Sequence, residues 1–410
     1  MTEVNQPDGS GKRMRVLRIS HASLTPSLRE RERALVSRYL NVDLEVVTAA
    51  RWREAGVDVE ATDDDLFRVT RPRARLSKHI QLFAYEPGPI IAAMRRHKPD
   101  VIDLNHEPYS VACAEVLTLC RWFAPRTAIV MQACQNIFHR YPPPFNWLER
   151  RALKRIDAAS VCSELVREVL AAKGFRKPAV VIPFGVNTEA FCPRRTLDRQ
   201  ANKPLTIGFV GRMLPGKGLN VLADALGKLR AESWKLLLVG DGPERKSFEQ
   251  ALAARGLRNR AEFVGAITYD NVPDFYQRMD ILVTPAQTTK RIREQFGRVL
   301  VEAMASAVPV IGSTCGAIPE VIGDAGLVVR EGDADALAGA LRQLLSDGAL
   351  REHLMRAGRE KAERRYSWER VADQTYELFG QVLRSRAVAF GRPELLAALK
   401  PEVARTPAVQ

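Results

Sequence analysis

Short apolar runs alternate along the chain with segments whose apolar residues recur at helical spacing. The first two runs, over 14–20 and 43–50, flank a segment over 27–40 that has helical periodicity. A strand, a helix and a strand in that order predict a parallel sheet with a crossover helix. The same alternation continues further along, so we predict a doubly wound α/β domain over residues 14–187.

A break in this alternation divides the chain. Residues 188–204 are polar, contain proline and show no periodicity, and they are predicted to be a linker. The runs LTIGFVG, KLLLVGDG and DILVTPA then restart the pattern, which predicts a second doubly wound α/β domain over 205–369. The polar segment 1–13 is predicted to be a disordered lead-in, and 391–410 a tail.

Composition narrows the class of protein without choosing a partner. Hydrophobic residues make up 46% of the chain and charged residues 27%, which is typical of globular proteins with large cores. No apolar run approaches the length of a membrane-spanning helix. Six scattered cysteines argue against a zinc site or disulfide framework and favour a reducing, cytoplasmic location. The net charge of +14 requires an anionic partner, and nucleic acid, anionic lipid and phosphate-bearing small molecules all qualify.

The stretch EQFGRVLVEAM contains two carboxylates, Glu294 and Glu302, eight positions apart. Glu294 is predicted in the loop or at the start of the following helix and Glu302 about two turns further along, which places both on one side, about 12 Å apart by helical rise. That is too far for a catalytic dyad acting on one bond, for which hydrolases use about 5 to 9.5 Å. The spacing fits the two ends of an elongated ligand, or an ordinary amphipathic helix with an acidic first turn.

The loop GRMLPGKG, from Gly211 to Gly218, follows a predicted strand and opens a predicted helix. Its glycines allow close backbone approach to a ligand, and the helix N-terminus offers unpaired N–H groups. Arg212 and Lys217 add two cations, so the loop is predicted to bind a diphosphate. A structural turn is the alternative. The loop is not a Walker motif, because G-x-x-x-x-G-K-[ST] is absent.

His106 and Glu107 follow an apolar run that begins at residue 101, at the edge where parallel sheets present groups to ligands. This position favours His106 as a functional residue. The structural alternative is a helix N-terminal turn, for which Glu107 and Pro108 are suited.

Two basic clusters lie in the predicted first domain, RPRARLSKH over 71–79 and a helical cluster over 150–155. The second follows an aromatic, proline-rich loop that contains Phe138, Tyr141, Phe145 and Trp147. Such a loop beside a basic helix is typical of a segment that binds the membrane interface, of a wall of a substrate site, or of packing under a proline turn. The sequence leaves these three interpretations open.

Several stretches of the second half together resemble the C-terminal half of family-4 glycosyltransferases: FVGRMLPGKGLNVLADAL, LLLVGDGPE, FVGAI and EQFGRVLVEAMASAVPVIGSTCGAIPEVI. The resemblance is close over 205–330 and looser in the first half, where IPFGVN and the strand pattern carry it. It implies the GT-B fold, in which two Rossmann-like doubly wound domains face a cleft. It also implies that a terminal helix over 370–390 crosses back to the N-terminal domain.

The resemblance assigns roles to individual positions. It implies that a nucleotide-diphospho-sugar donor binds the second domain, where Arg212 and Lys217 would hold the diphosphate and stabilise the leaving group. Glu302 would bind the ribose and Glu294 the donor sugar. The remaining implied donor contacts are made by backbone. Gly211 would contact the diphosphate, Phe296 and Gly297 would lie beside the sugar, and Val264 and Gly265 would contact the nucleobase.

The implied reaction is transfer of a hexose-type sugar to a glycan or lipid-linked acceptor, with retention at the anomeric carbon and without metal or cofactor. Glu294, Arg212, Lys217 and His106 are the predicted catalytic residues of this retaining hexosyltransferase. Its expected setting is cell-envelope polysaccharide synthesis, in the cytoplasm or peripherally on the inner membrane face through its basic N-terminal domain, with no nucleic-acid partner. A non-catalytic sugar-nucleotide-binding protein of the same fold is the alternative.

Two departures limit the resemblance, and a pair of aspartates bears on metal binding. The loop after the first strand, HASLTPS, has no glycine where many relatives have a glycine-rich loop. The strand TAIVMQACQN ends with Gln132, Gln135 and Asn136 where many relatives place a histidine. Asp333 and Asp335 look like a metal-binding pair, but they precede a helical segment where acidic N-caps are expected.

Overall fold

The computed structural model describes residues 13–54, 57–193, 203–290 and 292–390, with positions 393, 396 and 399 beyond them. The predicted lead-in and tail otherwise lie outside the described residues. The chain divides into two compact units. Unit 1 comprises Met1–Val161, Arg167–Ile182 and Ala372–Gln410, and unit 2 comprises Cys162–Val166 and Pro183–Val371.

Unit 1 is built on a seven-stranded parallel sheet in the order β11-β10-β9-β8-β1-β2-β5. Two small antiparallel hairpins, β3–β4 and β6–β7, lie outside this sheet. The elements up to the division are β1 (Met14–Ser20), α1 (Glu30–Arg38), β2 (Val42–Val47), β3 (Arg51–Glu54), β4 (Val57–Glu60), β5 (Arg68–Thr70), β6 (Ala74–Arg75), β7 (Ala84–Tyr85), α2 (Pro87–His97), β8 (Val101–Asn105), α3 (Val111–Phe123), β9 (Ala128–Ala133), α4 (Phe145–Arg155), β10 (Ala158–Val161), α5 (Glu164–Ala172) and β11 (Ala179–Val181).

Unit 2 is built on a six-stranded parallel sheet in the order β14-β13-β12-β15-β16-β17. Its elements, with the final helix that continues into unit 1, are β12 (Leu205–Val210), α6 (Leu219–Gly227), β13 (Trp234–Val239), α7 (Arg245–Ala254), β14 (Ala261–Gly265), α8 (Val272–Tyr276), β15 (Ile281–Thr284), α9 (Arg298–Ala305), β16 (Val310–Ser313), α10 (Ile318–Ile322), β17 (Gly326–Val329), α11 (Ala334–Ser346), α12 (Gly348–Lys361) and α13 (Trp368–Phe390).

The strands are near-continuous apolar runs because helices cover both faces of each parallel sheet. Successive strand residues point to opposite faces. In unit 2, Leu282 and Val310 accordingly belong to one buried cluster and their neighbours Ile281 and Ile311 to the other. The prediction of two parallel-sheet α/β domains is confirmed.

The division between the units differs from the predicted linker. It falls between Ile182 and Pro183, before the polar segment that begins at residue 188. Phe191 is buried against Tyr276, so the first part of the predicted linker packs into the core of unit 2. Residues 194–202 lie outside the described part of the chain. The composition of the sequence indicated where the alternation of strands and helices ends. The burial of the Phe191 ring decides that this segment belongs to the core of unit 2.

Helix α13 begins in unit 2 and belongs to unit 1 from Ala372 onward. There the Asp373 carboxylate accepts hydrogen bonds from Arg38 and Tyr39. The Tyr39 and Tyr376 rings stack with centroids 3.9 Å apart. Within the described ranges, no helix combines the length and apolar character needed to cross a membrane.

Candidate functional site

The loop over 211–218 connects the carboxyl end of β12 to the N-terminus of α6. Gly218 caps α6 with a φ of 74°, and a Cβ there would lie 1.8 Å from the carbonyl oxygen of Pro285. Only glycine fits this left-handed position against another backbone. The Gly216 carbonyl accepts a hydrogen bond from the Gln287 N–H at 2.8 Å. The loop is therefore fixed to the segment that follows β15, with the first N–H groups of α6 beside it.

Glycines end three adjacent strands at this same edge of the sheet. Gly211 follows β12, Gly240 follows β13 and Gly265 ends β14. The Gly240 N–H donates to the Gly265 carbonyl at 2.8 Å, and a Cβ on Gly240 would lie 2.1 Å from the Gly211 oxygen. Val264 and Gly265 thus stand next to the turn that faces the 211–218 loop. The carboxyl edge of a parallel sheet is where α/β proteins bind ligands.

Lys217 and Glu294 form a direct ion pair. Lys217 Nζ lies 2.7 Å from Glu294 Oε2, and both side chains are partly buried. The Glu294 carbonyl accepts a hydrogen bond from the Ala317 N–H at 3.1 Å, which fixes the backbone of this residue. Arg212 lies in the same loop as Lys217 with an exposed side chain. The structure therefore joins two of the predicted catalytic residues, which are 77 positions apart.

The placement of Glu294 corrects the helical estimate of its distance from Glu302. Helix α9 begins at Arg298 with Gly297 as its N-cap, so Glu294 precedes the helix. Rise per residue therefore does not measure the separation of the two carboxylates. Phe296, between them, is buried against Phe184 and Tyr366. Its ring anchors this loop to the core of unit 2.

Glu302 is buried in α9, with 3% of the residue exposed. Its Oε2 accepts a hydrogen bond from the Tyr276 hydroxyl at 3.0 Å. Burial and the Glu302 carboxylate raise the pKa of Tyr276 well above its ordinary value, so this phenol stays protonated and remains a donor. Sequence reasoning missed Tyr276, because the pair spans 26 positions and Tyr276 lies outside the stretch that predicted Glu302.

His106 lies in unit 1 at the carboxyl end of β8, as predicted, but its imidazole is packed among aromatic rings. Only 4% of the residue is exposed, and Nε2 lies 3.1 Å from the Tyr85 hydroxyl. Burial, with nearby His21 and Arg18, lowers the pKa of His106 well below its ordinary value. A neutral, enclosed imidazole fits a packing role, and the catalytic assignment of His106 stays a prediction.

The loop after β9 is held by a lysine that sequence reasoning also missed. Lys173 Nζ donates to Gln135 Oε1 at 3.0 Å and pairs with Glu149 Oε1 at 2.5 Å. It also lies 4.8 Å from the centroid of the Tyr141 ring. Of the three interpretations of this aromatic loop, packing describes Tyr141. Phe138 and Trp147 are exposed, so the other two interpretations remain for them.

Across the described residues, no group of three or more His, Cys, Asp or Glu side chains is placed to hold a metal ion. Asp333 is the N-cap of α11 and accepts a hydrogen bond from the Ala336 N–H at 2.8 Å. The capping interpretation of this aspartate is confirmed.

Solved structures of other proteins share this architecture. Sucrose-phosphate synthase from Thermosynechococcus elongatus aligns with a TM-score of 0.70 at 22% identity, covering 91% of this chain and all of that one. The Anabaena protein HepE, solved in complex with UDP and glucose, aligns with a TM-score of 0.67 at 19% identity, covering 90% of this chain and all of that one. The two parallel-sheet units and these neighbours define the GT-B class of glycosyltransferase folds.

Sequence comparison identifies the family within this class. Residues 28–190 match the family model for Glycosyltransferase Family 4, and residues 194–361 match that for Glycosyl transferases group 1. These two models, one for each half, together identify the chain as a member of the family-4 glycosyltransferases. A phosphatidyl-myo-inositol mannosyltransferase of Mycobacterium leprae is 37% identical over 212 residues, 50% of this chain. The chain spans about half the length of the first curated relatives it matches, 54% in that case.

Proposed function

We propose that this protein transfers a hexose-type sugar from a nucleotide-diphospho-sugar to a lipid-linked or glycan acceptor, with retention and without a metal. The observation that carries the proposal is the Lys217–Glu294 ion pair. It stands where the 211–218 loop meets the segment before α9, at the edge where three strands end in glycine. An ammonium group, helix N–H groups and close-packed glycine turns are the features that bind a diphosphate.

The chemistry follows from where negative charge develops. When the bond between sugar and diphosphate breaks, charge accumulates on the departing phosphate oxygens. A cation and N–H groups that are already fixed in place stabilise that charge more in the transition state than in the ground state. Lys217 would supply the point charge, and the exposed guanidinium of Arg212 would bind two oxygens. This division of roles requires no divalent ion or bound cofactor.

The other donor contacts follow the family resemblance. Glu294 would contact the donor sugar, with the Phe296 and Gly297 amides beside it, and Glu302 would bind the ribose hydroxyls. Tyr276 supports that role because its hydroxyl orients the buried Glu302 carboxylate. Backbone near Val264 and Gly265 would contact the nucleobase. The complex of HepE with UDP and glucose supports a nucleotide-sugar donor.

The acceptor and the setting are also part of the proposal. The Mycobacterium leprae relative is a phosphatidyl-myo-inositol mannosyltransferase, which supports a lipid-linked acceptor and a role in the cell envelope. A net charge of +14 supports contact between the basic unit 1 and an anionic membrane at its cytoplasmic face. The exposed aliphatic residues of unit 1 favour lipid over nucleic acid as the anionic partner.

A panel of nucleotide sugars tests the donor assignment. We expect one donor to raise the unfolding free energy by an amount that grows with concentration, about 2.7 kcal/mol at a hundred times Kd. That donor should be consumed only when wild-type protein and acceptor are both present, and Glu302→Ala should abolish the reaction. Donor binding without any transfer or hydrolysis would instead favour the alternative, a sugar-nucleotide-binding protein without turnover. No stabilisation by any donor would overturn the proposal.

A further inference from the structure

The hairpin over residues 71–85 of unit 1, called here the basic hairpin, projects an exposed tip from a buried base. Strand β6 pairs antiparallel with β7, and the tip between them is folded on itself. His79 N–H donates to the Leu76 carbonyl at 3.0 Å, and Leu82 N–H donates to the His79 carbonyl at 2.8 Å. Phe83 and Tyr85 are buried at the base. The tip therefore has a defined conformation rather than that of a loose loop.

Three aliphatic side chains of this tip are exposed. Leu76 is 65% exposed, Ile80 51% and Leu82 40%. A single exposed aliphatic residue on a protein surface is ordinary. Three within seven positions form a local apolar surface of the kind that marks an interaction site. No core requirement explains them, because the buried anchors of the hairpin are Phe83 and Tyr85.

Cations lie beside these aliphatic residues along the chain. From Leu66 to Tyr85 the sequence contains no aspartate or glutamate, while the hairpin contains three arginines and a lysine. Arg71 pairs with Asp63 at 3.1 Å. Among the described residues, no ion pair is found for Arg73, Arg75 or Lys78, and all three are exposed. The tip thus combines uncompensated positive charge with exposed aliphatic surface.

The hairpin is also fixed to helix α3 of unit 1. The Gln81 carbonyl accepts a hydrogen bond from the Val111 N–H at the start of α3, at 3.0 Å. The Tyr85 N–H donates to Glu115 Oε2 at 2.8 Å. The start of α3 follows the carboxyl end of β8, so the hairpin stands at the edge where a parallel sheet binds its ligands.

We propose that the basic hairpin docks on an anionic lipid bilayer, with Leu76, Ile80 and Leu82 in the interfacial layer and Arg73, Arg75 and Lys78 at the lipid phosphates. Both halves of the surface match this one partner, since anionic headgroups attract the cations and acyl chains accept the aliphatic residues. Nucleic acid matches the cations alone, because single strands are bound by aromatic stacking and both aromatic rings of the hairpin are buried. This inference rests on the proposed function, because docking on the bilayer would bring the enzyme to a lipid-linked acceptor.

Flotation of the full chain with vesicles tests the proposal. Phosphatidylcholine vesicles would be compared with vesicles that contain roughly a third anionic phosphatidylglycerol. Removing three cations with Arg73→Gln, Arg75→Gln and Lys78→Gln should weaken binding to the anionic vesicles about a hundredfold, since each contributes about fivefold. The matched control Arg230→Gln, Lys235→Gln and Lys246→Gln removes three exposed cations from unit 2. It should change binding by less than about threefold.

A second pair of variants tests the aliphatic residues. Leu76→Ser with Ile80→Ser should weaken binding by at least about tenfold, and the loss should persist at about 0.5 M salt, where charge attraction is screened. Trp122→Ser removes an exposed apolar side chain of α3 and should have no such effect. The altered side chains are exposed, and an unchanged thermal unfolding transition of unit 1 would verify that each variant is folded.

Equal loss in the two triple-charge variants would overturn the proposal in favour of attraction by net charge alone. Failure of the wild-type chain to float with anionic vesicles would overturn it as well. The assay measures no sugar transfer. A failure of the donor assignment and a failure of the membrane-docking proposal would therefore be seen in different experiments.

Discussion

At the scale of single residues, the Lys217–Glu294 ion pair places an ammonium group at the start of one helix and a carboxylate just before another. Replacing Lys217 by alanine removes the charge that would face the leaving diphosphate. We expect kcat/KM for transfer to fall by about 10² to 10³, as when one preorganised electrostatic group is removed from an active site. Lys228→Ala is the control, because this exposed lysine of unit 2 pairs with Asp335. Unchanged transfer by Lys217→Ala would contradict the assignment.

His21 gives a second prediction at this scale, concerning pH. Burial, with the charge of Arg18, lowers the pKa of His21 from 6.5 to about 4. Between those values the unfolded chain binds a proton that the folded chain does not. The stabilisation is therefore complete above pH 6.5 and is lost as the pH falls towards 4, by about 3 kcal/mol for this group.

Urea unfolding over this pH range measures the effect. His21→Phe should reduce the dependence of the unfolding free energy on pH, while His106, whose pKa is shifted in the same direction, maintains part of it. His353→Gln, a change at an exposed position, should leave the dependence as it is in the wild-type protein. An identical pH dependence in His21→Phe would show that this imidazole is not buried as described.

At the scale of elements, the junction between the 211–218 loop and α6 depends on Gly218. A methyl group there would meet the Pro285 carbonyl at 1.8 Å in a left-handed conformation. Gly218→Ala should therefore cost at least about 2 kcal/mol of stability and weaken donor binding. Gly339→Ala in α11 is the matched control, because a Cβ there meets no atom within 4 Å. It should stabilise the helix by about 0.5 to 1 kcal/mol, and chemical denaturation compares the two.

Elements were predictable where a local pattern specifies them, and the site only in part. Apolar runs predicted the strands, and glycine with lysine predicted the 211–218 loop. The ion pair between Lys217 and Glu294 could not be read from spacing, because it joins segments that only the sheet order brings together. Gly297 caps α9, so Glu294 lies in the loop, one of the two positions that the sequence left open. The β6–β7 hairpin was missed altogether, since strands of two residues have no alternation to detect.

At the scale of the whole molecule, each unit has its own sheet and buried residues, and α13 contributes to unit 1. Phe379 of α13 is 1% exposed in unit 1, and Leu337 of α11 is fully buried in a core cluster of unit 2. We expect two unfolding transitions by calorimetry, because a chain of two units with separate cores need not unfold in one step.

Phe379→Ala should destabilise unit 1 by about 3 to 5 kcal/mol and lower the temperature of one transition, and Leu337→Ala should lower that of the other. A bound nucleotide sugar should raise only the transition that Leu337→Ala lowers, since binding stabilises the unit that contains the site. A single transition that both substitutions and the ligand shift alike would contradict the separation of the two cores.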